Sequence, residues 1–351
     1  MNGSVVRRVA ATCAAALVLG ACTTTGVDDG ATAAGSGDDD AFPVTIEHAL
    51  GETTLSEAPD RVATVSWVNA DVALALGVVP VGMPTDDWGG NENGSTPWKD
   101  EALAELGAAI GTDDAPVQYS EADGIAYEEI AELAPDVILA AYSGLTEEEY
   151  DRLTDIAPVV AYPEVPFGTP WQESTRLVGQ ALGLEAEAEE LVTDTEQAVA
   201  DAVAEHPEVP GKTFVYANLD PATPSVVNVF TSRDNRPRFL EQLGMEQSPA
   251  VAEAAEGNDS FFVEWSAERA DELQSDVLVA WVPSEEAVDQ VQADPLLSQI
   301  PAVSAGAVAA TSDNTETLAL SAASPLSLPW ALDEVLPDIA EAARAAEAAG
   351  P

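Results

Sequence analysis

The chain has 351 residues, of which 63 are acidic and 12 basic, for a formal charge of −51. So acidic a surface repels phosphate backbones and excludes nucleic acid as a partner. With two histidines and two cysteines in the whole chain, a zinc centre or a histidine-rich metal trap is hard to build.

Residues 1–8 include Arg7 and Arg8, an apolar stretch fills 9–19, and Leu19-Gly20-Ala21-Cys22 follows. The apolar run is shorter than the ~20 residues of a membrane span, and the basic front marks a signal peptide over 1–21. Small residues directly before Cys22 are the mark of lipoprotein processing, in which the acylated Cys22 becomes the new N-terminus and anchors the chain to the cell membrane, facing outside the cytoplasm. Cys13 leaves with the signal, so no disulfide is expected. Residues 22–41 hold Thr, Gly, Ala, Ser and Asp with almost nothing apolar, and read as a flexible stalk.

From residue 42 onward strand and helix patterns alternate. Strands are predicted over 61–67, 78–83, 136–142 and 159–162, and helices over 69–76, 99–106, 127–133 and 146–156. Residues 171–205 contain no proline and form one long helical run, with a bend expected near Gly179 and Gly183. Strands follow at 213–218, 226–231 and 276–282, and helices at 236–243, 267–273, 285–292 and 328–346. This alternation predicts an α/β protein with an N-terminal lobe at 42–170, an interlobe helix at 171–206 and a C-terminal lobe at 207–351. The lobes share an echo: Glu128, Leu133, Asp136 and Val137 recur 140 residues later as Glu268, Leu273, Asp276 and Val277. The same helix-turn-strand unit is therefore expected twice.

No Gly-x-Ser-x-Gly elbow, phosphate-cradling loop or His-Glu-x-x-His stretch occurs. A catalytic triad would have to use His48 or His206, and both read as surface residues, so no enzyme is expected. Aromatic residues stand at loops and strand ends instead: Trp67, Trp88, Trp98, Tyr142, Phe167, Trp171, Trp265 and Trp281. The ends of α/β strands face ligands, which favours Trp67, Trp88 and Tyr142 as cleft residues, with Trp171 and Trp281 as further candidates. In so acidic a chain the cluster Arg233, Arg236 and Arg238 stands out, and forked guanidinium hydrogen bonds suit an anionic ligand. Internal pairing with Asp or Glu is the plain alternative. Arg236 is the first choice, beside Arg233.

Several segments, taken together, resemble the helical-backbone (class III) solute-binding proteins of ABC importers that carry ferric siderophores, haem and vitamin B12. They are Ala58-Pro59-Asp60-Arg61-Val62, the run from Ala75 through Gly82, Glu128 through Leu139, the run from Ile156 through Val160, and Arg238-Phe239-Leu240-Glu241-Gln242-Leu243-Gly244. The resemblance is greatest to the iron-siderophore branch. It implies two Rossmann-like lobes joined by one long rigid helix, with the ligand cleft between the lobes, and a monomer that serves a permease and its ATPase. It implies Fe(III)-siderophore as ligand, with iron held by the siderophore and no resident cofactor or directly bound metal. It also implies that Glu128 and Glu268, one on each lobe, dock to arginines of the permease. Few cations are present for a highly charged triscatecholate, so a hydroxamate or mixed siderophore suits the chain better. A haem or cobalamin receptor of the same fold is the alternative, with Tyr142 open as a haem ligand. An exported hydrolase and an adhesion lipoprotein without a small ligand are the competing readings.

Overall fold

Short runs of Val, Ile, Leu and Ala bounded by Pro, Gly and Asp are too brief for helices and become strands buried on both faces. The computed structural model describes residues 41–223, 225–258 and 260–350; the expected signal peptide over 1–21, Cys22 and the stalk up to residue 40 lie outside them. The first described element is a hairpin, β1 (Val44–His48) and β2 (Gly51–Leu55). It brings the first correction, because His48 is buried and not a surface residue. The Leu50 N–H donates to its Nδ1 (3.2 Å), which leaves the ring proton on Nε2, 3.0 Å from Thr53 Oγ1. Thr53 donates in turn to the Val159 carbonyl, so this histidine fastens the hairpin to the sheet edge, and burial lowers its pKa.

Strands β3 (Val62–Thr64), β4 (Gly82–Pro84), β5 (Val117–Tyr119), β6 (Val137–Leu139) and β7 (Val159–Val160) form an all-parallel sheet in the order β5-β4-β3-β6-β7. The C-terminal half holds β8 (Thr213–Asn218), β9 (Val226–Phe230), β10 (Glu246–Gln247), β11 (Phe262–Ser266), β12 (Val277–Trp281) and β13 (Val308–Thr311). Their order is β11-β9-β8-β12-β13, with β10 beside the start of β8. β8, β12 and β13 are parallel, while β9 runs against both β8 and β11.

Side chains alternate across each strand, and this alternation builds a shared centre. Val137 and Leu139 enter one large apolar cluster, and Ile138 points to a smaller one on the other face. Phe214, Tyr216, Val277 and Val279 of the second sheet enter the same large cluster, while Val215, Ala217, Leu278 and Ala280 turn away from it. Val178, Leu182, Val192 and Val199 of the connecting helices complete this core between the sheets.

The connection differs from the single rigid helix expected. It is a helix pair, Trp171–Leu182 and Glu185–Glu205. Gly183 takes the left-handed conformation (φ 70°) that caps the first helix, and a Cβ on Gly179 would lie 2.3 Å from the Ala188 methyl. These two glycines stop the first helix and let the second pack closely on it. The run expected to form one helix over 328–346 is also divided, into Ser327–Glu334 and Leu336–Ala349. Part of the C-terminal sequence returns to the first half: Trp330 packs on Trp98 with ring centroids 5.3 Å apart, and Ser324 Oγ donates to Asp71 Oδ2 at 2.8 Å.

The echo seen in the sequence has a physical basis at its aspartates. Asp136 Oδ2 accepts the N–H groups of Asp60 and Arg61 at 3.1 and 2.9 Å, which fixes the entry to β3. Asp276 Oδ2 accepts the Thr213 N–H and O–H at 2.7 and 2.8 Å and does the same for β8. In both halves an aspartate one residue before a strand clamps the neighbouring parallel strand. Asp136→Ala and Asp276→Ala are each expected to cost about 1 kcal/mol, the usual net worth of exposed hydrogen bonds. Urea unfolding should show a similar drop for both, with most of it restored by Asn; no loss in either would contradict the clamp.

Candidate ligand cleft

In the first sheet the chain leaves β3 toward β4 and leaves β6 toward β7, so a crevice opens between the carboxyl ends of β3 and β6. Trp67 and Tyr142 lie three residues beyond the last residues of these strands, on either side of that crevice. Trp67 keeps 39 % of its surface exposed, whereas Tyr142 is buried. The turn that carries Trp67 is strained. Ser66 (φ 62°) and Val68 (φ 69°, ψ −40°) both have left-handed φ, and Asn69 N–H donates to the Trp67 carbonyl at 2.7 Å in a γ-turn of the rare positive-φ kind. A β-branched residue with such a φ is an outlier whose cost, ~1–3 kcal/mol, must be met by its surroundings.

A buried amide and a partly buried carboxylate hold the turn. Asn69 Nδ2 donates to the carbonyls of Val65, Trp67 and Tyr142 at 2.7, 2.9 and 3.0 Å, and its Oδ1 accepts the Tyr142 N–H at 3.2 Å. This one amide ties the ends of β3 and β6 together. From β5's exit, Glu121 Oε2 accepts the Ser66 N–H at 2.9 Å.

Phe167 is the third member of this wall. It is 40 % exposed, has φ 54°, and stands 6.4 Å from the Trp67 ring and 5.9 Å from that of Tyr142. Gly144 makes room for it, since a Cβ there would sit 2.1 Å from the Phe167 ring. The facing half supplies Phe230, Tyr216 and the 41 % exposed Phe261, with Phe230 and Phe261 stacked at 6.5 Å.

The arginine cluster divides into distinct roles. Arg236 lies 3.5 Å over the Phe230 ring, and its fork is filled by Asp234, with Nε to Oδ1 at 2.7 Å and Nη2 to Oδ2 at 2.8 Å. Arg238 bridges the halves, donating to the carbonyls of Ser232 and Gly168, each at 2.9 Å. Arg233 is exposed on the turn ahead of this pair. Tyr142 donates its hydroxyl to the Ser321 carbonyl at 3.3 Å, and burial keeps its phenol neutral by raising the pKa.

Trp88, 40 % exposed, sits on the loop after β4. That loop lies close against the C-terminal half: a Cβ on Gly89 would be 2.7 Å from the Asn314 carbonyl, and Thr315 Oγ1 donates to the Gly89 carbonyl at 2.9 Å. Trp281, partly buried at the end of β12, donates to Asn314 Oδ1 at 3.0 Å and so borders the same junction. Trp171 differs from these; it is 2 % exposed and donates to Gln242 Oε1 at 3.2 Å, joining the halves from within. Under the Trp88 loop, Lys99 Nζ is buried between Asp86 (2.7 Å) and Asp71 (3.4 Å), and Asp71 also accepts the Trp98 indole N–H.

Glu128 and Glu268 are exposed in the first turns of the helix Tyr127–Glu132 and the 3-10 helix Ala267–Glu272. The first helix feeds the parallel strand β6, so its start lies at the carboxyl end of the sheet. The 3-10 helix follows β11, which runs parallel to β8, so Glu268 also lies at a carboxyl-end rim.

A family model described as periplasmic binding protein matches residues 62–315. The chain belongs to the periplasmic binding protein family. Among solved members, PiaA of Streptococcus pneumoniae TIGR4 in complex with ferrichrome is 37 % identical, with a TM-score of 0.79 over 86 % of this chain and 99 % of its own. A periplasmic solute binding protein from Mycobacterium smegmatis MC2 155 is 29 % identical, with a TM-score of 0.68 over 86 % of this chain and 98 % of its own. YhfQ of Bacillus subtilis (strain 168), provisionally described as an ABC transporter substrate-binding lipoprotein, is 26 % identical over 244 residues, 67 % of this chain and 69 % of its own. As a periplasmic binding protein the chain belongs among transport proteins rather than in an enzyme family. Among the described residues no helix is long and apolar enough to cross a membrane.

Sequence reading left Asn69, Glu121, Phe230, Phe261 and Asn314 out of the cleft of this periplasmic binding protein, and included Phe167 only as one aromatic among several. The adjacent pair Phe261-Phe262 was a usable signal; nothing local marks the others. Lys99→Met should cost ~3–5 kcal/mol, because Asp71 and Asp86 would be left buried without a cation. The deficit should shrink at acid pH, where Asp71, whose pKa burial raises, takes up a proton. A urea-measured loss under about 1 kcal/mol would contradict the buried pairing.

Proposed function

We propose that the protein is the extracytoplasmic solute-binding lipoprotein of an ABC importer, that it captures a ferric siderophore of hydroxamate type, and that it delivers it to the permease for iron uptake. The observation that carries this reading is the character of the crevice. Trp67 and Phe167 front it from one half and Phe261 from the other, while the Arg236 guanidinium is already neutralised by Asp234. Such a surface offers apolar area and ring faces to a bulky, nearly neutral iron complex. The likeness to ferrichrome-bound PiaA supports the hydroxamate class.

In this reading Trp67, Trp88, Tyr142, Arg233, Arg236 and Trp281 belong to the cleft and its margin, and Trp171 supports it from the core. The lobes run over 42–170 and 207–351 with the helix pair of 171–206 between them, and Cys22 carries the lipid. Glu128 and Glu268 present one carboxylate from each half to the permease, which is coupled to its ATPase. The protein acts as a monomer, has no catalytic role, and leaves the iron ligated by the siderophore. Tyr142 is a poor haem ligand, since its neutral phenol is buried and bonded to Ser321.

Tryptophan fluorescence, titrated with ferrichrome, a ferric catecholate, ferric citrate, haem and cobalamin, tests this assignment. Saturable submicromolar quenching by ferrichrome is expected, and Trp67→Ala and Trp88→Ala should each weaken it roughly tenfold, as loss of a well-packed ring does. A response confined to haem or cobalamin would overturn the cargo assignment.

A further inference from the structure

Glu121 has no part in the ligand surface described above, yet its carboxylate lies directly beneath it. Oε2 accepts the Ser66 N–H at 2.9 Å, while Oε1 is buried with no hydrogen-bond partner among the described residues. The groups around it offer little compensation. Tyr119 on β5 donates its hydroxyl to the Thr64 carbonyl. Tyr127 is covered by Arg152 at 3.6 Å from its ring, and Glu149 adds a like charge. Among the described residues the one hydrogen bond its carboxylate makes is to the residue that enters the strained turn, where Ser66 and Val68 hold left-handed φ on either side of the exposed Trp67.

We propose that Glu121 is the positioning residue of Trp67: its ionised carboxylate holds the Ser66 N–H and with it the turn that presents the indole, and neutralising the carboxylate lets the turn relax. A carboxylate accepts an N–H about twice as strongly as a neutral carbonyl does. That difference decides the conformation here because the turn stores strain. Burial, followed in the opposite sense by the Ser66 bond and then by repulsion from Glu149, sets the pKa of Glu121 at about 7. The carboxyl therefore changes state near neutrality rather than in acid. The proposal deepens the reading of Trp67 as a cleft wall and rests on it for its functional meaning, but the test below needs no ligand.

The experiment is fluorine NMR of the protein carrying 5-fluorotryptophan, with the Trp67 signal identified by Trp67→Phe, recorded without ligand from pH 5 to 9. The Trp67 signal should shift with a midpoint near pH 7, while that of Trp88 stays in place. Glu121→Gln should abolish the shift. Glu149→Gln, which keeps a side chain able to serve its helix cap, should move the midpoint to lower pH by removing the like charge. A Trp67 signal that does not respond to pH, the same transition in Glu121→Gln, or an unmoved midpoint in Glu149→Gln would each overturn the proposal. Failure of ferrichrome binding with the titration intact would fault the cargo assignment and leave the positioning role standing.

Discussion

In a chain with 63 acids and 12 bases, interior cations are scarce, and two of them fix the cleft by being fully paired. Lys99 lies between Asp71 and Asp86 beneath the Trp88 loop, and Arg236, over the Phe230 ring, forms a two-bond fork with Asp234. Buried pairs of this kind contribute little net stability, but they leave few alternative arrangements. With these two cations paired, the crevice presents mainly rings in an otherwise highly charged protein.

The same arrangement explains how the two halves act together. Side chains from both sheets fill one core around the helix pair of 171–206, and polar links cross the junction at several levels. They include Arg238 to Gly168, Tyr142 to Ser321, Thr315 to Gly89 and Ser324 to Asp71. In the proposed reading, a ligand that enters the crevice thus meets two halves that are braced against each other.

Much of this was legible in the sequence. Apolar runs such as Val137-Ile138-Leu139 and Val277-Leu278-Val279 announced parallel strands, and the Asp136 and Asp276 echo marked two equivalent clamps. Trp67 and Tyr142 were expected at strand ends, and they lie three residues beyond β3 and β6. What escaped depends on contacts distant in sequence. β5 is three residues long and has only weak apolar character, and β11 is marked chiefly by its aromatics. The break at Gly183 could be read from its composition as a bend but not as a stop. His48 looked like a surface residue because Tyr150, whose ring packs on it at 5.2 Å, lies far away in the sequence. Arg236 looked available for an anionic ligand because sequence cannot show that Asp234, two residues away, turns back onto it.

In the proposed reading the cleft takes a ferric siderophore through apolar and aromatic contact, with Arg236 already neutralised by Asp234. The direct measurement is the affinity for ferrichrome as a function of salt, from 0.05 to about 1 M, a range over which ionic contacts are screened to roughly 3 Å. The dissociation constant is expected to stay within about twofold, since contacts of this kind are insensitive to screening. A steep loss of affinity as salt rises would show that free charge holds the ligand, and would contradict it.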